Sequence, residues 1–322
     1  MRHPALLPQT RRWFGQATVH SVPWTVEELE AAKQGRTVSV VLPALNEEKT
    51  VGALIAALWP LVGGLVDELV VMDSGSRDRT VEVAAAAGAR VVHRSDVLPE
   101  LQPWPGKGEV LWRSLAATSG DLLVFIDSDL LDFDVGFVPA LLGPLLLPRR
   151  LRIGRQIQLV KGFYRRPLRI DNVELMTGGG RVTELLARPL LNALRPELAG
   201  VVQPLGGEYA ASRTFLESVP FAAGYGVEIG LLLDVHTRHG LAGLAQVNLG
   251  VRKHRNRSLL DLGVMSRQIL GAVLPRCGVA EVPGSVGITQ FVQLNGRFMP
   301  TETGVLVADR PPMREILAAR LA

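Results

Sequence analysis

The chain has 322 residues, of which 47% are hydrophobic, so it is long enough to bury a sizeable core. Its 35 basic and 31 acidic residues leave a net charge of only +4, an excess too small to indicate nucleic-acid binding by itself. The single cysteine, Cys277, excludes an internal disulfide and is typical of a reducing compartment. We find no export signal and no apolar segment of the roughly 20 residues that a membrane span needs, and therefore expect a cytoplasmic protein.

Strands and helices alternate through the first 130 residues. We predict strands at residues 37–42, 68–72, 89–93 and 122–126, and helices at residues 25–35, 48–59, 78–87 and 108–118. Such alternation indicates an α/β fold with a parallel, doubly wound sheet that binds ligands at the carboxyl ends of its strands. Prolines and glycines between residues 135 and 150 indicate a boundary.

The second half of the chain is less regular. We predict strands at residues 158–163 and 245–251, a helix that begins at residue 181 and a final short helix at residues 314–320, with loops through most of the last 45 residues. The predicted organisation is an arm at 1–36, an α/β region at 37–150, a second region of the same domain at 151–275 and an extension at 276–322. Trp13, Phe14 and Trp24 are candidate anchors for the arm.

Two carboxylates follow the most apolar predicted strand. Asp127 and Asp129 are separated by Ser128, directly after the run at residues 122–126. Carboxylate oxygens are the ligands that hard divalent cations prefer, and such a cation can bridge the phosphates of a nucleotide. The alternative is a solvated strand end or a helix cap.

Polar residues also follow the first two predicted strands. Asn46 and Glu47 come after the first strand, where they could hydrogen-bond a base or simply form a turn and cap a helix. Asp73 and Ser74 follow the second strand and are compatible with either a ribose-binding loop or an Asx turn. The chain has neither a phosphate-binding P-loop motif nor the glycine fingerprint of a dinucleotide fold after a strand.

Three further segments are candidates for binding anions. Lys107 stands between two glycines before a predicted helix and can reach a diphosphate. Three glycines at 178–180, followed by Arg181 and Thr183, predict a separate phosphate site, although such a run can also be a flexible hinge. The basic run at 252–257 lacks interleaved aromatic residues, which favours small phosphates over a polymer, and its His254 could complete the ligand set of a cation held by Asp129.

Together these motifs resemble the glucosyl-3-phosphoglycerate synthase family of actinobacteria, in order, from about residue 24 to residue 272. The segments at 43–47, 73–76, 105–108 and 127–129 carry the resemblance, together with those at 178–184, 225–228 and 254–257. The resemblance implies a GT-A fold, which is a Rossmann-like, mostly parallel sheet flanked by helices, with a less regular acceptor-binding region toward the carboxyl terminus. It also implies retention of anomeric configuration, a Mg²⁺ or Mn²⁺ ion and a homodimer.

The resemblance also implies a role for individual residues. Those expected on the nucleotide sugar are Pro43, Ala44, Leu45, Asn46, Glu47, Ser74, Lys107, Asp127, Ser128, Tyr225, Gly226, Val227, Glu228 and Arg252. Asp129 and His254 are expected on the metal, and Gly180, Arg181, Val182, Thr183 and Asn256 on 3-phosphoglycerate. Glu228, Lys107 and Arg252 are the expected catalytic residues.

The reaction implied by the resemblance is transfer of glucose from UDP-glucose to the 2-hydroxyl of 3-phosphoglycerate. The residues by themselves predict only a metal-assisted transfer that involves a nucleotide and a second anion. A mannosyl-3-phosphoglycerate synthase that uses GDP-mannose and a polyprenyl-phosphate sugar transferase remain as alternatives. A sugar nucleotidyltransferase is disfavoured because it needs a glycine-rich basic loop after the first strand, whereas a non-catalytic nucleotide-sugar sensor is excluded only weakly.

Overall fold

The protein is described by a computed structural model that covers residues 6–131, 133–151, 157–165, 167–170, 173–178, 180–251, 258–284 and 287–321. The strands are β1 (Thr18–Val19), β2 (Val38–Ala44), β3 (Glu68–Asp73), β4 (Arg90–His93), β5 (Leu122–Phe125), β6 (Leu159–Arg165), β7 (Pro167–Ile170), β8 (Val173–Gly178), β9 (Tyr209–Ser212), β10 (Phe221–Ala222), β11 (Leu244–Val251), β12 (Gly287–Leu294), β13 (Arg297–Gly304) and β14 (Asp309–Arg310).

The described residues also form eleven α-helices. They are α1 (Pro8–Ala17), α2 (Val26–Lys33), α3 (Val51–Leu58), α4 (Thr80–Ala86), α5 (Lys107–Ala117), α6 (Phe137–Leu146), α7 (Arg188–Leu194), α8 (Arg213–Ser218), α9 (Val227–His239), α10 (Leu259–Arg276) and α11 (Met313–Leu321). The ends of the predicted elements differ from these bounds by at most about three residues, except that the helix predicted to begin at residue 181 reaches α7 only at Arg188, after a π-helical turn at Thr183–Ala187.

One central sheet contains eight strands of the described residues, in the order β1-β11-β6-β9-β5-β2-β3-β4. All neighbouring strands are parallel except β9, which is antiparallel to both β5 and β6. Strands β2, β3 and β5 are almost entirely buried, and their sequences are mostly apolar, as is typical of strands covered on both faces. The predicted α/β class with a mostly parallel sheet is therefore confirmed.

The segment at 135–150, where the sequence predicts a boundary, contains the helix α6. All ten residues of α6 are buried, and the helix packs against β5, β6, β9 and β11. Trp24 donates its Nε1 hydrogen to the carbonyl oxygen of Pro139 at 2.9 Å, and its ring fills the space beside Gly143. Glycine and proline are tolerated here because tight packing replaces the helix propensity that they lack.

The amino-terminal arm packs on the edge of the sheet. Trp13 is buried and donates its Nε1 hydrogen to the carbonyl oxygen of Leu244 at 2.7 Å, which fixes α1 beside β11. Thr25 and Glu28 form the reciprocal capping box that starts α2. Trp13 and Trp24 thus anchor the arm as predicted, whereas Phe14 is only partly buried.

The last 45 residues are more ordered than the sequence predicts. Strands β12 and β13 form an antiparallel hairpin in register from Gly287 with Gly304 to Leu294 with Arg297, and all of β13 is exposed. The prediction of loops is wrong for this hairpin. Among the described residues, no helix combines the length and the apolarity that crossing a membrane requires.

Candidate active site

A cleft of about 630 Å³ opens at the carboxyl ends of β2, β3 and β5. It is lined by many of the residues that the sequence predicts for the nucleotide sugar and the metal, namely Pro43, Ala44, Leu45, Asn46, Glu47, Ser74, Lys107, Asp127, Ser128, Asp129 and Tyr225. The strands are parallel and in register, so their carboxyl ends lie at one edge of the sheet. Segments more than 170 residues apart in sequence therefore form one concave surface.

The first two strand-end loops are tied to each other by hydrogen bonds. Asn46 has a positive φ of 58°, donates its backbone hydrogen to Ser76 Oγ at 2.9 Å and accepts the backbone hydrogen of Arg77 on Oδ1 at 2.9 Å. Buried Asp73 accepts the backbone hydrogens of Gly75 and Ser76, which makes it an Asx-turn residue. Asp73 therefore forms the Asx turn that the sequence allows, while Ser74 lines the cleft.

The backbone around Lys107 requires glycine on both sides. Gly106 has a φ of 102°, and a Cβ atom there would lie 2.8 Å from the Cα atom of Gly224. A Cβ atom on Gly108 would overlap the carbonyl oxygen of Ala222. The amino-terminal end of α5 consequently packs directly on the segment that leads to Tyr225 and α9.

Lys107 lies between two carboxylates. Its Nζ atom forms an ion pair with Asp127, which follows β5, and another at 2.6 Å with Glu228, near the start of α9. Burial by itself lowers the pKa of Lys107, but the charges of Asp127 and Glu228 outweigh it and raise that pKa well above its ordinary value. The protonated form of Lys107 is therefore favoured, and its ammonium group lines the cleft.

Asp129 stands at the edge of the cleft beside Asp127 and offers oxygen ligands of the kind that Mg²⁺ and Mn²⁺ accept. The described residues contain no cluster of three His, Cys, Asp or Glu side chains that could hold an ion. The predicted second ligand, His254, lies outside the described residues. A donor set of this chemistry fits a divalent cation that also binds phosphate oxygens.

The predicted acceptor loop is a separate feature. Gly180 has a φ of 78°, Arg181 is partly exposed, and Val182 and Thr183 are buried at the start of the next helical segment. None of these residues lines the cleft described above. Arg252 and Asn256 lie outside the described residues, so the structure does not test their assignment to the site.

The predicted nucleotide-sugar segment at 225–228 divides into two parts. Tyr225 lines the cleft, whereas Gly226, Val227 and Glu228 are buried behind it. Of these buried residues, Glu228 reaches the cleft floor through its ion pair with Lys107.

Several residues of the site escaped the sequence predictions. Arg77 and Arg94 line the cleft, and Arg94 donates to Ser74 Oγ at 3.3 Å. Lys161 on β6 does not line the cleft; it is buried, donates to the carbonyl oxygen of Gly206 at 2.5 Å and lies 5.0 Å from the centre of the Tyr209 ring. Burial lowers the pKa of Lys161 to about 8 despite the charge of Glu228, which raises it. A lysine inside an apolar strand was the signal that could have identified it.

Known proteins resemble this chain in both sequence and structure. A family model described as glycosyl transferase family 2 matches residues 39–168. The glucosyl-3-phosphoglycerate synthase of Mycolicibacterium smegmatis is 60% identical over 94% of this chain and 97% of its own length. That of Mycobacterium tuberculosis is 57% identical over 97% of this chain and 94% of its own length.

Two solved structures of the Mycobacterium tuberculosis protein match this fold over 94% of the chain and 99% of theirs. One is a complex with Mn²⁺, UDP and phosphoglyceric acid, with a TM-score of 0.86 at 57% identity. The other is a complex with Mn²⁺, UDP-glucose and phosphoglyceric acid, with a TM-score of 0.84 at 58% identity. Similarity of this extent in both sequence and structure shows that the chain belongs to the glucosyl-3-phosphoglycerate synthase family of glycosyl transferases.

Proposed function

We infer that the protein transfers glucose from UDP-glucose to the 2-hydroxyl of 3-phosphoglycerate and releases UDP. The observation that carries this inference is the near-full-length similarity, at 58% identity, to a structure solved with Mn²⁺, UDP-glucose and phosphoglyceric acid. The cleft at the strand ends, with a fixed cation at its floor, supplies the chemistry that such a transfer needs. Retention of anomeric configuration and a cytoplasmic location are part of the same proposal.

Lys107 is the residue that we assign to the leaving diphosphate. When the bond between the anomeric carbon and the phosphate oxygen breaks, negative charge accumulates on UDP, and a preorganised cation stabilises it most strongly in a partly buried site. The ion pairs with Asp127 and Glu228 hold the ammonium group in position before the donor binds. Arg252 is proposed to add a second positive charge.

Asp129 and His254 are proposed as the protein ligands of the Mg²⁺ or Mn²⁺ ion that the relatives' structures contain. A bound divalent cation supplies positive charge to the diphosphate of the donor. The position of Asp129 at the cleft edge, next to Asp127 and within the same loop, supports this assignment.

Glu228 is proposed to orient the sugar or to polarise the acceptor hydroxyl rather than to act as a nucleophile. Its carboxylate is buried and engaged by Lys107 at 2.6 Å. A carboxylate held in this way is a poor nucleophile, because its charge is already neutralised by the ammonium group. The acceptor oxygen bonds to the anomeric carbon as the bond from that carbon to the phosphate oxygen breaks, and the hydroxyl proton passes to the departing diphosphate or to water. The transfer therefore balances without a covalent enzyme intermediate.

The acceptor is proposed to bind at Gly180, Arg181, Val182, Thr183 and Asn256. The positive φ of Gly180 exposes backbone at the start of a helical segment, and such starts attract anions. Since Val182 and Thr183 are buried, we assign the direct charged contact to Arg181.

The reaction itself is tested by measuring UDP release. We expect release to require UDP-glucose, 3-phosphoglycerate and Mg²⁺ or Mn²⁺ together, because each supplies a part of the transfer. Parallel reactions replace the donor with GDP-mannose, replace the acceptor with a polyprenyl phosphate, or omit the acceptor. Faster release with the lipid phosphate or with GDP-mannose would overturn the proposal.

Asp129→Ala is expected to abolish metal-dependent turnover while the protein remains folded, because one of the two proposed protein ligands is lost. Binding of Mn²⁺ in the presence of UDP, followed by electron paramagnetic resonance, gives a readout independent of turnover. Asp96→Ala, an exposed carboxylate after β4, is the control and should bind the ion normally. Full activity of Asp129→Ala after chelation and metal titration would contradict the assignment.

Arg181→Ala is expected to weaken the binding of 3-phosphoglycerate and to leave the binding of UDP-glucose almost unaffected. A charge-assisted hydrogen bond contributes about 1.5 to 3 kcal/mol, or roughly ten- to hundred-fold in affinity. Steady-state kinetics with each substrate varied in turn measures both KM values. Arg238→Ala removes the same charge from an exposed position on α9 and serves as the control. A raised KM for UDP-glucose with an unchanged KM for the acceptor would show that the two phosphate sites are exchanged.

We propose that the protein is a homodimer in which the β12–β13 hairpin contacts the second copy. Phe291 and Phe298 share one face of this hairpin and Leu294 lies on the other, and each is at least 60% exposed, which is typical of a surface that contacts another protein. Phe298→Lys is expected to shift the mass measured by light scattering from two chains to one. Val22→Lys changes an exposed apolar residue outside the hairpin and should leave the mass unchanged. A single-chain mass for the unaltered protein would end the proposal.

A further inference from the structure

The short strand β14 places Arg310 against the amino-terminal end of α5. The guanidinium donates from Nε to Glu109 Oε2 at 2.7 Å and from Nη2 to Glu109 Oε1 at 2.9 Å. The same Nη2 atom donates to the carbonyl oxygen of Gln102 at 2.6 Å, and the guanidinium carbon lies 3.8 Å from the centre of the Trp104 ring. We propose that Arg310 is a positioning residue for Lys107 and, through it, for the diphosphate of the donor.

Arg310 holds the chain on both sides of Lys107. Gln102 and Trp104 precede the lysine, and Glu109 follows it by two residues within the first turn of α5. The lysine side chain therefore extends from a short stretch of backbone whose two ends contact one guanidinium group. A planar guanidinium that stacks on an aromatic ring and donates two hydrogen bonds to a carboxylate restricts the distance between those two side chains and their relative orientation.

A second arginine completes the arrangement from inside α5. Arg113 is fully buried, pairs with Glu109 Oε1 at 2.6 Å and donates to the carbonyl oxygens of Leu98 and Leu101 at 3.1 and 2.6 Å. Glu109 is thus shared by two arginines, one of them local and the other 201 residues away in the chain. Buried charges in such a network are rigid, because each is costly to leave unpaired.

The same strand also supports the carboxylate that meets Lys107 from the other side. Arg310 is the register partner of Phe221 in the antiparallel pair of β14 with β10, and Ala223 donates its backbone hydrogen to the carbonyl oxygen of Ala308 at 3.0 Å. The chain then continues through Tyr225 into α9, where Glu228 binds Lys107. The segments that lead to both partners of the 2.6 Å ion pair are therefore hydrogen-bonded to β14 or to the residue just before it.

A purely structural role for Arg310 would lower stability without a particular effect on the donor. A positioning role predicts a loss of UDP affinity that depends on the presence of Lys107. The proposal rests on UDP-glucose being the donor, but binding of UDP alone can be measured without any turnover. Its failure is therefore distinguishable from failure of the proposed reaction.

The test is a double-mutant cycle on UDP binding, measured by calorimetry at saturating Mn²⁺, with Arg310→Met, Lys107→Met and the double variant. We expect Arg310→Met to raise the Kd for UDP and to lower kcat/KM for UDP-glucose about ten- to hundred-fold, as displacement of a charged group by about 1 Å can do. The KM for 3-phosphoglycerate should change by less than about two-fold. In the Lys107→Met background, the substitution of Arg310 should not raise the Kd for UDP further.

Three further variants make the result interpretable. Arg310→Lys keeps the charge but loses the paired hydrogen bonds to Glu109 and most of the stacking on Trp104. Its UDP affinity should lie between those of the unaltered protein and Arg310→Met. If Arg310→Met does not fold, Arg310→Lys is judged by the same criteria. Arg320→Met removes an exposed arginine of α11, and Trp13→Phe removes a buried hydrogen bond at the far edge of the sheet. Both should bind UDP normally, even where urea unfolding shows lower stability. Unchanged UDP affinity in the Arg310 variants, or an equal loss with and without Lys107, would overturn the proposal.

Discussion

The ammonium group of Lys107, held between the carboxylates of Asp127 and Glu228, connects the parts of the molecule that form the cleft. Removal of Lys107 would leave two partly buried carboxylates without their shared cation, which is far more costly than the ion pairs are stabilising. The glycines on either side of Lys107 follow from the same contact, because only residues without a side chain allow α5 to approach the segment before α9 so closely. The cleft is therefore organised around a single lysine.

The strands of this arrangement and the polar residues at their ends are predicted by the sequence. Apolar runs predict β2, β3 and β5, and the rule that parallel strands bind ligands at their carboxyl ends places Asn46, Ser74 and Asp127 together. The structure confirms this convergence in a single cleft. The family and the reaction came from the resemblance of several motifs in a fixed order, which near-full-length relatives confirm.

The parts that the sequence could not predict depend on contacts between distant segments. A run such as Phe137–Leu146, with two prolines and a glycine, reads as a boundary, and only its complete burial against the sheet explains why it is helical. Arg310 lies in a short strand without periodicity, and its partner Glu109 is 201 residues away. Nothing in the composition of either segment indicates that they meet. The binding of the acceptor at residues 180–183 remains a prediction. These residues do not line the cleft, so its geometry does not test their role.

The antiparallel strand β9 has a consequence for the synthesis of the chain. It fills the position between β5 and β6, so the edge of β5 has no neighbour on that side until residues 209–212 arrive. At typical translation rates of about 5 to 20 residues per second, the 83 residues between them take several seconds to emerge. During that time an apolar strand presents unpaired backbone groups, which is the condition under which nascent chains pair with one another. A sheet that receives a central strand only after both neighbours of that strand have been synthesised is expected to aggregate more slowly at low expression temperature.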